Sequence, residues 1–200
     1  MRPGPTLFLT ALGALLAILS LCIGPNGFSP GIIGQALEGE PTARLILVEL
    51  RLPRMLLGVL VGGTLGLAGA TLQGLFRNPL AEPGVIGVSG CAALGAVVAF
   101  YSGFSASVPL GLPLGGVLGA LVAIALLLAL AARDERISTL LLAGVALSAL
   151  AGALTALALN LSPNPYAAIE IVFWLLGSLA DRSLDHVWLA LPFMLVGSAL

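Results

Sequence analysis

The stretch VELRLPRMLLGVLVGG, residues 48–63, sets two arginines, Arg51 and Arg54, at the mouth of a long apolar run, with Pro53 between them. Proline is favoured at the first position of a helix, so the spacing predicts a helix beginning at Pro53, with both guanidinium groups beside its N-terminal end. That end carries partial positive charge, which makes the placement locally unfavourable. From Met55 to Phe76 no charge interrupts the run, and its length suits the roughly 20 residues that a membrane-spanning helix needs.

Working outward, further charge-free segments follow the same pattern at Thr6–Ile23, Val85–Tyr101, Val108–Ala132 and Ile137–Leu161, and a sixth starts near Val187. The sixth holds fourteen residues up to Leu200, about 21 Å at roughly 1.5 Å per residue, so the sequence is expected to end inside a helix. Composition agrees: 59% of residues are hydrophobic and 8% charged, against roughly a quarter charged in soluble domains. The expected fold is all-α, a polytopic membrane bundle of about six transmembrane helices near 6–23, 55–76, 85–101, 108–132, 137–161 and 187–200. The first segment reads as a retained helix. It is long for a signal peptide, and Leu21 stands before Cys22 where a lipoprotein site needs a small residue.

Several activities are excluded by what is missing. The chain has no lysine, hence no Walker A lysine, and His186 is its only histidine, which removes a two-histidine zinc site. Cys22 and Cys91 lie in different apolar segments and read as buried small hydrophobes, with no metal or other cofactor expected in this chain. A formal net charge of −1 gives no sign of a nucleic-acid partner; the bilayer is the expected surround. Arginines do not orient the chain: Arg2, Arg77, Arg133 and Arg136 fall on one face, Arg44, Arg51, Arg54 and Arg182 on the other.

Small residues recur every fourth position: Gly58, Gly62, Gly66, Ala70, Gly74 in the second segment; Gly87, Cys91, Gly95, Ala99 in the third; Gly111, Gly115, Gly119 in the fourth; Gly144, Ser148, Gly152, Ala156, Asn160 in the fifth. Such stripes let helix backbones approach closely, and four in succession predict a compact bundle. Between the fifth and sixth segments, Pro163 and Pro165 break the helix before an apolar patch, Ile171–Ala180, too short to span. With Glu170, Asp181 and Arg182 around it and Trp174 suited to the membrane boundary, the patch reads as an interfacial or re-entrant helix lining a vestibule.

Two loops share a face. LFRNPLAEPGVIGVSG, residues 75–90, is held away from helix by Pro79 and Pro83, while Asn78 can satisfy its own turn. ARDERIST, residues 132–139, carries four consecutive charges before Ser138 and Thr139, which read as a helix N-cap. GVSG at Gly87–Gly90 also matches the short pattern of rhomboid intramembrane proteases, with Ser89 as nucleophile and His186 as base, a weak match in a glycine-rich chain.

The run RLPRMLLGVLVGGTLGLAGATLQGLFRNPLAEPGVIGVSGCAALGAVVAF, with LLLAGVALSAL and FWLLGSL downstream, resembles the FecCD-type permeases of bacterial ABC importers, which carry iron-siderophores, haem or vitamin B12. The resemblance covers nearly the whole chain. It implies the N-terminal part of a type II importer transmembrane domain in the bacterial inner membrane, working as a pair of permease subunits, a homodimer first. A periplasmic binding protein would deliver cargo, and a separate ATPase pair would hold ATP and magnesium. Iron chelates are the first cargo expected and corrinoids the second. By position, the resemblance makes Arg51 and Arg54 docking groups for the binding protein, Asn78 and Leu80 one cytoplasmic gate, and Ser138 with Thr139 the other. Family members continue past Leu200 into coupling helices and four more spans, so a truncated, non-transporting membrane subunit is a further alternative. For the two arginines, head-group anchoring, a pair with Glu49 or snorkelling stay open beside docking.

Overall fold

The computed structural model describes residues 3–24, 27–133, 136–162, 164–180 and 182–199, so Asp134, Glu135, Pro163 and Asp181 lie outside the described residues. The chain divides into two compact units, residues 1–64 with 179–200, and residues 65–178.

In the first unit, helix α1 (Pro3–Cys22) leads into a two-residue antiparallel ladder of β1 (Ile23–Gly24) and β2 (Gly27–Phe28), with Ile23 opposite Phe28 and Gly24 opposite Gly27. Helix α2 (Gly31–Leu37) ends at Gly39, whose φ of 90° reverses the chain. Pro41 then opens α3 (Pro41–Leu45), which passes through a π-helical turn, Ile46–Arg51, into α4 (Leu52–Phe76).

The result is one helical rod of 36 residues, Pro41–Phe76, about 54 Å at roughly 1.5 Å per residue and well beyond a 30 Å hydrocarbon core. The helix therefore does not begin at Pro53, which lies buried within the rod. A proline inside a regular helix loses a hydrogen bond and strikes the carbonyl four residues back. Here the preceding turn is widened, with the Leu52 N–H bonding the carbonyl five residues back, at Leu47, so the backbone has already left α register where the ring must fit. Arg51 and Arg54 thus sit more than two turns inside a helix, and the helix-dipole conflict disappears.

Pro192 lies within α10 (Leu184–Ala199), the last element of the first unit. In the first turn of that helix His186 completes a small cap: its Nδ1 accepts from the Ser183 N–H at 3.3 Å and lies 3.1 Å from Ser183 Oγ, while its backbone N–H donates to Ser183 O. This is one half of a capping box, the side chain three residues on reaching back to the Ser183 N–H, with an imidazole where glutamate usually stands; the His186 backbone N–H goes to the Ser183 carbonyl and not to its hydroxyl. Partial burial and then the Arg182 charge lower the His186 pKa below its ordinary 6.5, against a smaller opposing effect of Asp185. An unfolded chain would take up the proton first. The stability that depends on a neutral His186 is therefore full above pH 6.5 and lost as pH falls through the lowered value. Thermal unfolding should show this acid-side loss, and His186→Gln should remove it; matching pH curves for the two proteins would reject the lowered His186 pKa.

The second unit begins within α4, at Leu65, and its first loop follows the end of that helix. Arg77, at φ 49°, takes the left-handed position usually given to glycine; its N–H bonds Gly74 O and the Asn78 N–H bonds Gln73 O, the double closure of a Schellman motif. A 3-10 turn (Pro83–Ile86) precedes Gly87, whose φ of 80° sets the start of α5 (Val88–Tyr101) three residues later than the charge-free run predicts. Then come α6 (Phe104–Ser107), α7 (Gly111–Ala131), α8 (Ile137–Asn160) and α9 (Pro165–Leu176).

The core of this unit is α5 laid along α7 and against α8, with Ala96, Val97 and Ala123 at most 1% exposed. A Cβ at Gly95 would strike Gly115 O, one at Gly119 would strike Cys91 O, and one at Gly115 would lie 2.5 Å from the Ala99 Cβ. The stripes of α5 and α7 therefore interlock. Those of α4 and α8 behave differently: Gly62, Gly66, Gly74 and Gly152 have no atom within 4 Å of a built Cβ, and Gly58 meets only Leu179 Cδ1 at 3.8 Å. Gly144 is close, but to the loop, at 2.8 Å from Ile86 Cα and Val85 O. Four stripes do not all close on one another within the described residues, because small side chains permit approach without supplying a partner.

Among the described residues four helices are long and apolar enough to cross a membrane, and Val88–Tyr101, Pro165–Leu176 and Leu184–Ala199 are shorter apolar helices.

Candidate functional site

The loop Arg77–Gly87 is the most organised irregular segment of the second unit. Asn78 Oδ1 accepts from the Leu80 N–H at 2.9 Å, and Asn78 O accepts from the Ala81 N–H at 3.1 Å, an Asx turn closed by a backbone turn. From α4, Gln73 Nε2 donates to Pro79 O at 3.1 Å. Downstream, Gly87 and Gly144 seat the 3-10 turn on α8, with a Cβ at Gly87 only 2.6 Å from Gly144 O. Ser148 Oγ adds a long contact of 3.5 Å to Gly84 O. Both ends of the loop are fixed, and its tip projects: Ala81 is buried while Leu80 is 83% exposed.

Ser138 and Thr139 lie on α8, but not at its cap. Arg136 holds the N-cap position without a side-chain hydrogen bond, and Ser138 and Thr139 follow in the first turn, the Thr139 N–H bonding Arg136 O. The N-cap reading of these two residues is corrected: the cap lies at Arg136, two residues before Ser138, because the helix reaches back to Ile137. Ser138 is exposed and Thr139 half-buried.

The two arginines part company. Arg54 is exposed. Arg51 folds back on its own unit, with Nη1 donating to Leu21 O at 2.7 Å in the last turn of α1 and Nη2 donating to Ser29 Oγ at 2.9 Å. Among the described residues neither arginine pairs with Glu49, which is exposed. The Arg51 partners lie 30 and 22 residues away, and no local sequence signal announces them.

Helix α9 starts at Pro165, six residues before the apolar patch Ile171–Ala180, because Asn164 caps it by accepting the Tyr166 N–H at 3.0 Å. Its 12 residues are too few to span. Glu170 is exposed and Trp174 half-buried, one turn apart on one face. Ser89 is exposed in the first turn of α5, whereas the ring of His186 is engaged by Ser183 and lies 3.4 Å from Arg182 Nη1. Among the described residues no three His, Cys, Asp or Glu groups cluster to hold a metal ion, and Cys22 and Cys91 are both free.

These features define a class: a polytopic helical membrane protein whose polar constellations sit at helix ends, in loops and at the π-helical turn of the long rod, with uncharged apolar runs between. Residues 12–200 match the model of the FecCD transport family, and the chain belongs to that family. It is 37% identical over 188 residues to the vitamin B12 import system permease protein BtuC of Salmonella paratyphi A (strain ATCC 9150 / SARB42), and equally so to that of Escherichia coli O17:K52:H18 (strain UMN026 / ExPEC). Each alignment covers 94% of this chain and 56% of the relative, so the chain spans about half the length of the curated relatives it matches. A solved structure of a metal-chelate type ABC transporter in an inward-facing conformation superposes with a TM-score of 0.82 at 32% identity, covering 98% of this chain and 60% of that one. The chain is a multi-pass protein of the bacterial inner membrane, and the intramembrane protease alternative through Ser89 and His186 falls with the family assignment.

Proposed function

We propose that the chain is part of the permease subunit of an ABC importer, moving a metal chelate by alternating access while a separate ATPase pair holds ATP and magnesium. The observation that carries this reading is the family match over residues 12–200 together with the pinned loop that presents Leu80. An iron chelate, siderophore or haem, is the first cargo; a corrinoid is the second, favoured by the 37% identity to vitamin B12 permeases. Both are metals already wrapped in organic ligands. That suits spanning runs without charge and described residues without a metal-ligating cluster, since a bare ion would need donors of its own.

In this reading Asn78 with Leu80, and Ser138 with Thr139, form the cytoplasmic gates. Glu170 and Trp174 line the outer vestibule, a second permease subunit completes the pathway, and a periplasmic binding protein delivers the chelate. The complete subunit, reconstituted in vesicles with its ATPase and binding protein, should accumulate radioactive ferric chelate or labelled cobalamin only with ATP; accumulation of neither would reject the transport role.

Docking falls to Arg54, an exposed cation on a helix that outruns the bilayer. Arg54→Glu should slow association with the binding protein about tenfold at low salt, and high salt should erase the difference, because rim charges steer encounter more than they hold the complex. An unchanged association rate at low salt would reject Arg54 as a docking group.

A further inference from the structure

The C=O of Pro79 and the N–H of Leu80 belong to the same peptide group, and both of its polar atoms are held by side chains. Gln73 Nε2 donates to the oxygen at 3.1 Å, and Asn78 Oδ1 accepts from the nitrogen at 2.9 Å. Pro79 also has its φ fixed by its ring. With φ of Pro79 set, the plane gripped at both ends, and the turn closed across Leu80 by the Ala81 N–H on Asn78 O at 3.1 Å, which restrains the rotation about Leu80 N–Cα, the Cα–Cβ direction of Leu80 is largely determined, although Leu80 itself is 83% exposed. The grip reaches back into α4, because the Asn78 N–H bonds Gln73 O.

We infer that Gln73 and Asn78 are positioning residues which together clamp the Pro79–Leu80 peptide and hold Leu80 as the occluding group of the loop, so that the Asn78 side chain shapes the gate instead of touching cargo. The inference rests on the gate reading of this loop. It divides the labour between two residues that look alike: Asn78 works as an acceptor and Gln73 as a donor. Aspartate can therefore replace Asn78, since it keeps the acceptor, but glutamate cannot replace Gln73, since a carboxylate has no proton for Pro79 O and repels it. A polar pathway lining predicts the reverse for Asn78→Asp, where a new charge would face the cargo.

The test uses the complete subunit assembled with its ATPase, with Cys22 and Cys91 replaced by alanine and a nitroxide on Leu80→Cys. Spin mobility without nucleotide reports the clamp. Parent and Asn78→Asp should give the same immobilised spectrum, whereas Asn78→Ala, Gln73→Glu and the near-isosteric Gln73→Met should each cut the ratio of immobilised to mobile spins about fivefold, the scale of one such hydrogen bond. Thermal midpoints should stay together across the set, because the loop is exposed. If Asn78→Asp is as mobile as Asn78→Ala, or both Gln73 variants are as ordered as the parent, the clamp is wrong. Nucleotide is added only afterwards. A parent spectrum that ignores nucleotide would reject the gate reading while leaving the mobility pattern to decide the clamp.

Discussion

Gly119→Val and Gly95→Val should each prevent the second unit from reaching its native packing. At these positions a side chain would strike backbone, the carbonyls of Cys91 and Gly115, and not the end of a flexible side chain that could swing away. To make room α5 and α7 must separate, and the layer they close contains Ala96, Val97 and Ala123, all at most 1% exposed. Within a bilayer there is no hydrophobic drive to hold two apolar helices together, so packing and close Cα–H···O contacts carry the association. Overpacking a well-filled core costs roughly 1–3 kcal/mol and can exceed that, and a backbone obstacle in a packing-driven interface belongs at the upper end. Gly62→Ala and Gly152→Ala supply the contrast: nothing lies within 4 Å of the new Cβ, and exchanging glycine for alanine in a helix gains up to about 1 kcal/mol. Unfolding of the complete subunit in mixed detergent, followed by circular dichroism, measures the difference. Equal midpoints for Gly119→Ala and Gly62→Ala would refute the interlock.

The sequence makes legible whatever depends on local pattern. The charge-free runs place α1, α7 and α8 because a spanning helix must be apolar along its length, and Asn78 announces its turn because an Asx turn closes within two residues. Pro53 misleads for an equally local reason: the preference for proline at a helix start is real, but it cannot reveal that a widened turn upstream accommodates the ring. The glycine stripes are readable as permission to pack. Which of them is used depends on helices far apart in sequence, so Gly119 and Gly62 look the same until their neighbours are known. Gln73 had a signal in its place five residues before Asn78, a polar residue in the last turn of the apolar run that feeds the loop. Arg51 had none, since Leu21 O and Ser29 Oγ reach it only through the fold.

For that reason Arg51→Leu should act on stability before it acts on any partner. Its guanidinium bridges the last turn of α1 and the segment after the β1–β2 ladder, where Ser29 is also held by its N–H to Cys22 O at 2.8 Å. The carbonyl of Leu21 is one of the four left unpaired at a helix C-terminus, the end that favours a cation. Two charge-assisted bonds at a half-buried site, offset by a buried Nε without a partner, put the loss at about 3 kcal/mol, and Arg51→Lys, which offers one point charge in place of a fork, should lose about half of that. Gly24 provides an independent handle: a Cβ there would lie 2.5 Å from Arg51 Nη2, so Gly24→Ala must displace the guanidinium although the arginine is still present. The two changes should therefore be strongly non-additive, with Gly24→Ala costing less than about 0.5 kcal/mol once Arg51 has become leucine. The cycle also separates the two arginines in function. Arg54→Glu should alter only a salt-sensitive association rate, whereas Arg51→Leu should lower the unfolding midpoint and reduce docking in proportion to the protein that has lost its native first unit. Parental stability in Arg51→Leu, with a docking rate that high salt restores, would make Arg51 a docking group and overturn its role as a bridge between α1 and Ser29.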